Sequence, residues 1–180
     1  LTSKEKDYVL KNLDLLHEAL KVKKLPHQVG APELIAIDQD DYHAELVGTT
    51  ASGQQFFITN LFRPASADSP RQEYLAVFLF NEDGDLVDSK VDIFPPGNLS
   101  PDELERFEQL QELRLSELGE VSFQDILVKP FAVEHHGEMM GLVPVLYGDE
   151  QDEDGWVVEI IPGRFMAFNP PWDSGKYEGN

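Results

Sequence analysis

Apolar and polar positions alternate along this chain with three different rhythms. Val9, Leu13, Leu16 and Leu20 recur at helical spacing near the start, with Leu10 widening the stripe. Thr2-Ser3-Lys4-Glu5 reads as a capping box before that stripe, and Pro26 and Gly30 end it. The pattern predicts a basic N-terminal helix over residues 1–25. From Tyr42 the period becomes two. His43–Gly48 and Gln54–Leu61 read as strands around a Thr49–Gly53 turn. Glu73–Phe80 is almost wholly apolar, which predicts a central strand covered on both faces. Asp83-Gly84 is a hairpin signal, and Asp85–Phe94 alternates as a half-exposed antiparallel strand. Residues 42–94 are therefore expected to form a β-meander, with 62–71 as a loop within it.

A second helix is expected at 100–118. Ser100-Pro101-Asp102-Glu103 combines an N-cap, a first-turn proline and a capping box, and Gly119 ends the segment. Leu104, Phe107, Leu110 and Leu118 form its apolar face; Glu105, Glu108, Glu112 and Glu117 crowd the other. The last third returns to strand patterns at Ile126–Glu134, Met139–Tyr147, Trp156–Ile161 and Phe165–Phe168, with an acidic turn at Asp149–Gly155. Residues 169–180 read as an irregular aromatic tail. The expectation is a single α+β domain over 1–180: a largely antiparallel sheet of about six to eight strands, with two amphipathic helices packed on it.

Charge changes the picture more than composition does. The chain has 34 Asp and Glu against 14 Lys and Arg, a net charge of −20. Residues 1–24 hold six lysines and four carboxylates, leaving +2, so the other 156 residues carry −22. Such a field repels nucleic acid and anionic membrane and favours basic partners. The lysine-rich first segment suits an acidic surface, of its own chain or of a second copy, so a homo-oligomer through that helix is one expectation. At 41% hydrophobic with eleven phenylalanines, the chain should fold around a real core. It has no cysteine, which excludes thiolate chemistry and fits a cytoplasmic protein.

Candidate chemistry is sparse. There is no Gly-x-Ser-x-Gly elbow, P-loop or dinucleotide fingerprint. Asn81–Asp85 and 149–155 are acidic turns between strands, unlike a helix-flanked calcium loop. His43 and Glu45 share a strand face, as would Glu134, His136 and Glu138 in an extended chain. Were those two strands paired, the five side chains could hold a divalent metal, as in a metal-dependent hydrolase or a cupin-like enzyme. His135-His136-Gly137 reads more naturally as a turn, which would splay them. Among aromatic residues, Arg164, Phe165, Phe168 and Trp172 make the densest binding-type cluster, or a lid over the core. The leading expectation is a non-catalytic acidic binding protein of the inhibitor or immunity type, without a cofactor. Its acidic face would comprise Glu82, Asp83, Asp85, Asp88, Glu105, Glu108 and Glu112.

Overall fold

The structure is a computed structural model that describes residues 31–147, 155–170 and 172. The predicted N-terminal helix over 1–25 and most of the acidic turn at 149–155 lie outside the described residues. Strands β1 (Ile35–Ile37), β2 (Leu46–Thr50), β3 (Gln55–Arg63), β4 (Gln72–Phe80) and β5 (Leu86–Ile93) precede helix α1 (Pro101–Glu117). After it come β6 (Val121–Phe123), β7 (Ile126–Val128), β8 (Phe131–His135), β9 (Glu138–Leu146), β10 (Trp156–Ile161) and β11 (Ala167–Phe168).

These eleven strands form three antiparallel sheets. The largest has the order β5-β4-β3-β2-β6, the second β11-β10-β9-β8, and β1 pairs only with β7. The expectation of six to eight strands and two helices is therefore corrected: among the described residues there are eleven strands and one helix. Part of the undercount has a local cause. Ile126–Glu134 reads as one strand, but Pro130 supplies no backbone donor, and the run breaks at Lys129-Pro130. Its first half pairs with β1 and its second with β9. The three-residue β1 and β6 are too short to show any period.

The register of the nine-residue strands β3 and β4 organises the rest. Phe57 pairs with Phe78 and Thr59 with Ala76, so these side chains share one face. Phe56, Ile58, Leu75 and Val77 share the other. The first face is buried under the two smaller sheets: Phe57, Tyr74, Phe78 and Phe80 form one core with Ile35, Val128, Met140, Leu142, Ile160 and Phe168. Phe131 of β8 is wedged against both Phe78 and Phe80, at ring-centroid distances of 4.8 and 5.4 Å. The second face is covered by α1, where Phe107 packs on Phe94 at 5.0 Å within a separate cluster of Phe56, Ile58, Leu75 and Val77.

Polar contacts tie these layers together. Gln55, 6% exposed, donates through Nε2 to the carbonyls of Leu127 (2.8 Å) and Asn81 (3.1 Å), and its Oε1 accepts from Leu127 N–H (2.8 Å). The side-chain amide thus acts as a rung between β3 and β7. At the other layer Arg114 of α1 clasps Asp92 of β5 in two bonds of 2.7 Å and reaches Glu117 at 3.0 Å. Ser100 caps the helix, and the Ser100–Glu103 capping box forms.

Two outcomes follow from this packing. Phe78→Ala empties a site only 1% exposed and should cost about 3–5 kcal/mol, seen in urea as a lower midpoint with unchanged slope. Arg114→Met keeps the apolar stem but leaves Asp92 without its cation beside the helix. It should cost about 2 kcal/mol, while Lys90→Met, whose 3.5 Å pair with Glu117 is exposed, should cost less than about 0.5.

Candidate functional site

A cleft of about 440 Å³ opens on the helix-bearing face of the large sheet. Its position follows from strand lengths. Leu46, at the start of β2, pairs with Ile58, so Thr59–Arg63 of β3 run on with β4 on one side and no β2 partner on the other. The Asp40–Glu45 loop stands where β2 would have continued. Asn60 and Phe62 project from β3 on the α1 face, Glu73 lies directly opposite Phe62 on β4, and Gln111 of α1 lines the far side.

The rim loop is held by one carboxylate. Asp40 Oδ1 accepts the backbone N–H groups of Tyr42, His43 and Ala44 at 2.8, 2.7 and 2.9 Å. Partial burial alone would raise its pKa, but the three N–H donors outweigh that and hold it below the usual carboxylate range. The loop presents Tyr42, 84% exposed, edge-on to His43 at 4.2 Å. The opposite wall comes from the β10–β11 connection. Gly163 (φ 101°) passes so near β3 that a Cβ would fall 2.8 Å from the Phe62 carbonyl. That close passage sets the Phe165 ring parallel to Phe62, at 5.9 Å and 18°, and 6.0 Å from His43. Tyr42, His43, Phe165 and Phe62 therefore form a continuous aromatic wall.

Charge in the cleft is concentrated on Arg71 and Glu73. Arg71 Nε donates to Glu73 Oε1 at 2.5 Å, and its guanidinium carbon lies 4.1 Å from the Phe62 ring centroid. Glu73 is 8% exposed, and its second oxygen, Oε2, is screened from solvent without a hydrogen-bond partner. Glu45 stands exposed on the rim.

The residues singled out by sequence fall in several places. His43 and Glu45 belong to the cleft, whereas Glu134, His136 and Glu138 belong to the β8–β9 hairpin of another sheet. The strands whose pairing would have assembled a metal site do not pair: β2 has β3 and β6 as neighbours. His136-Gly137 forms the hairpin turn itself, with φ of 53° and 76°, both positive as in a type I′ turn. His136 Nε2 donates to the Val91 carbonyl, His135 Nε2 meets Ser89 Oγ, and Glu138 pairs with Arg63 at 2.7 Å. Among the described residues no three or more His, Asp or Glu side chains gather closely enough to hold a metal ion. In the aromatic segment, Phe168 (0% exposed) and Trp172 (8%) are interior, and Trp172 O accepts from Ala36 N–H of β1. Phe165 reaches the cleft, and Arg164 is exposed, 3.5 Å from Glu159.

The acidic candidates divide as well. Glu105, Glu108 and Glu112 lie along the outer face of α1, and Asp88 shares the β5 face on which that helix packs, with Lys90 and Asp92. Glu82, Asp83 and Asp85 occupy the β4–β5 turn, where Asp85 accepts from Asn81 and Lys129 and Gly84 abuts the Leu127–Lys129 backbone. Tyr42, Phe62, Arg71 and Glu73 were not picked out from sequence. The available signal was Glu73 at the head of an otherwise apolar strand, two residues from Arg71 and so on the same face.

No protein-family model, no curated protein and no solved structure matched the chain. No helix among the described residues is long and apolar enough to cross a membrane.

The Asp40 clasp gives a pH-dependent outcome. A carboxylate with a lowered folded pKa stabilises the fold above its unfolded value and loses that contribution as pH falls through the folded one. Asp40→Asn keeps an acceptor oxygen but removes the charge. It should cost about 1 kcal/mol at pH 7, and the difference from wild type should begin to shrink near pH 4 and narrow further as the pH falls below that, as urea midpoints across pH 2–7 would show.

Proposed function

We propose that this is a non-catalytic binding protein, of the inhibitor or immunity type, whose carboxylate-rich face receives a basic protein partner. The observation that carries the reading is the outer stripe of α1. Glu105, Glu108 and Glu112 follow one another at i, i+3 and i+7, all exposed. No Lys or Arg stands three or four residues from any of them. Each like-charged neighbour costs an isolated helix about 0.2–0.5 kcal/mol. Such a stripe is unfavourable for the helix alone and is relieved when cations arrive from outside.

The ion pairs of the described residues support the same reading. Arg63, Arg71, Lys90, Arg114, Lys129 and Arg164 are each within 4 Å of a carboxylate of the same chain. Each of these six cations is thus engaged with a carboxylate outside the Glu105–Glu112 stripe. Complementary charge of this kind speeds encounter and selects partners by sign, while affinity needs anchoring contacts in addition.

The test separates binding from folding. Changing Glu105, Glu108 and Glu112 together to Gln should leave the urea midpoint unchanged or slightly higher, because repulsion is removed. Captured from the native host's lysate at low salt, a basic partner should be held by wild type, released by a salt step, and associate about tenfold more slowly with the triple variant. An association rate indifferent to both the substitutions and salt would remove α1 from the interface.

A further inference from the structure

We infer that the cleft beside α1 is an anchor pocket for a single lysine or arginine side chain of that basic partner, received against the Glu73 carboxylate. The inference rests on the basic-partner reading and adds the place where one residue of the partner is held.

The Glu73 carboxylate is the first reason. It is the one cleft carboxylate withdrawn from solvent, at 8% exposure, and only Oε1 has a donor, from Arg71. A dry carboxylate oxygen without a donor is a costly group to leave unmatched. An ammonium or guanidinium supplies the N–H that is missing. Glu159 has a comparable Oε2, but that oxygen already lies 3.5 Å from Arg164 Nε, and Oε1 accepts from the Tyr147 hydroxyl.

The sign of the cleft is the second reason. Glu45 and Glu73 stand against Arg71, leaving one negative charge in excess. An anionic ligand would meet two carboxylates; a cation meets a deficit that it fills. The walls are the third reason. Phe62 already carries a guanidinium on its ring, so this aromatic surface suits a planar cation and its aliphatic stem. Phe165 and Tyr42 extend that surface to the rim, where an entering side chain would pass.

Location joins the cleft to the acidic stripe. Gln111, on the cleft wall, precedes Glu112 and follows Glu108 by three residues, so these positions lie on adjoining flanks of α1. A partner drawn to the stripe has the cleft beside it. The stripe then supplies steering, and the pocket supplies a desolvated contact of the kind that dominates binding energy.

The test uses the full chain, labelled with ¹⁵N, and two probes at low salt: acetyl-Gly-Arg-Gly-amide and its neutral citrulline counterpart. The arginine peptide should saturably shift the amides of Glu45, Asn60, Phe62 and Glu73, with a Kd at least about tenfold below that of the citrulline peptide. Glu73→Gln should weaken the arginine peptide about tenfold. Glu45→Gln, at an exposed position where folding is not at stake, should weaken it about twofold. Equal binding of the two peptides would overturn the inference, since charge would not be what the cleft reads. Shifts confined to residues 105–112 would overturn it too, yet leave the acidic-face reading standing. No shift anywhere would also overturn it, and the basic-partner reading would then be decided by the association rates of the triple Gln variant alone.

Discussion

Everything in this fold depends on the long pairing of β3 with β4. Nine consecutive residue pairs place phenylalanines and aliphatics on both faces at once, so neither face of the central sheet can be left to water. One face calls for the two smaller sheets and the other for α1. The cleft is a by-product of the same pairing. β3 and β4 outrun β2, and what lines the cleft at their ends is Asn60, Phe62 and Glu73 instead of another apolar pair.

Much of the large sheet was readable from sequence because it is made of long, regular elements. The Asp83-Gly84 turn, the buried run at Glu73–Phe80 and the Ser100–Glu103 cap each rest on short-range chemistry, and each has its counterpart in the structure. What could not be read was how short pieces are shared among sheets. Ile35–Ile37 and Val121–Phe123 have no period to detect, and nothing local to Ile126–Glu134 says that its halves serve different sheets. The bulge at Leu79/Phe80 had a similar effect on a smaller scale. It adds a residue to β5, so Val87 is half exposed while Ser89 and Val91 keep the inward alternation. The candidate site was partly legible, through His43, Glu45 and Phe165. These came from two separate motifs, and only the tertiary fold sets them around Glu73.

Charge is arranged in two ways that the net figure hides. Most described cations serve as internal fastenings: Arg114 pins α1 to β5, Arg63 reaches Glu138 across to the neighbouring sheet, and Lys129 secures the β4–β5 turn. The carboxylates that remain are therefore not spread evenly. On α1 they form a stripe with no cation three or four residues from any of its members, bordered by a cleft whose aromatic wall offers what a field alone lacks, a dry surface with shape.

The Gln55 side chain has a consequence beyond its three hydrogen bonds. On its own, the β1–β7 ribbon is a pair of three-residue strands, too small to persist as an independent unit. By bonding both the N–H and the C=O of Leu127, Gln55 gives β7 a second partner drawn from the most deeply buried strand pair in the molecule. The ribbon cannot open without stranding two buried peptide groups and an amide, so its opening is coupled to that of the central sheet. A small peripheral element thereby becomes part of the main cooperative unit, and the line along which this protein could come apart piece by piece is closed at that point.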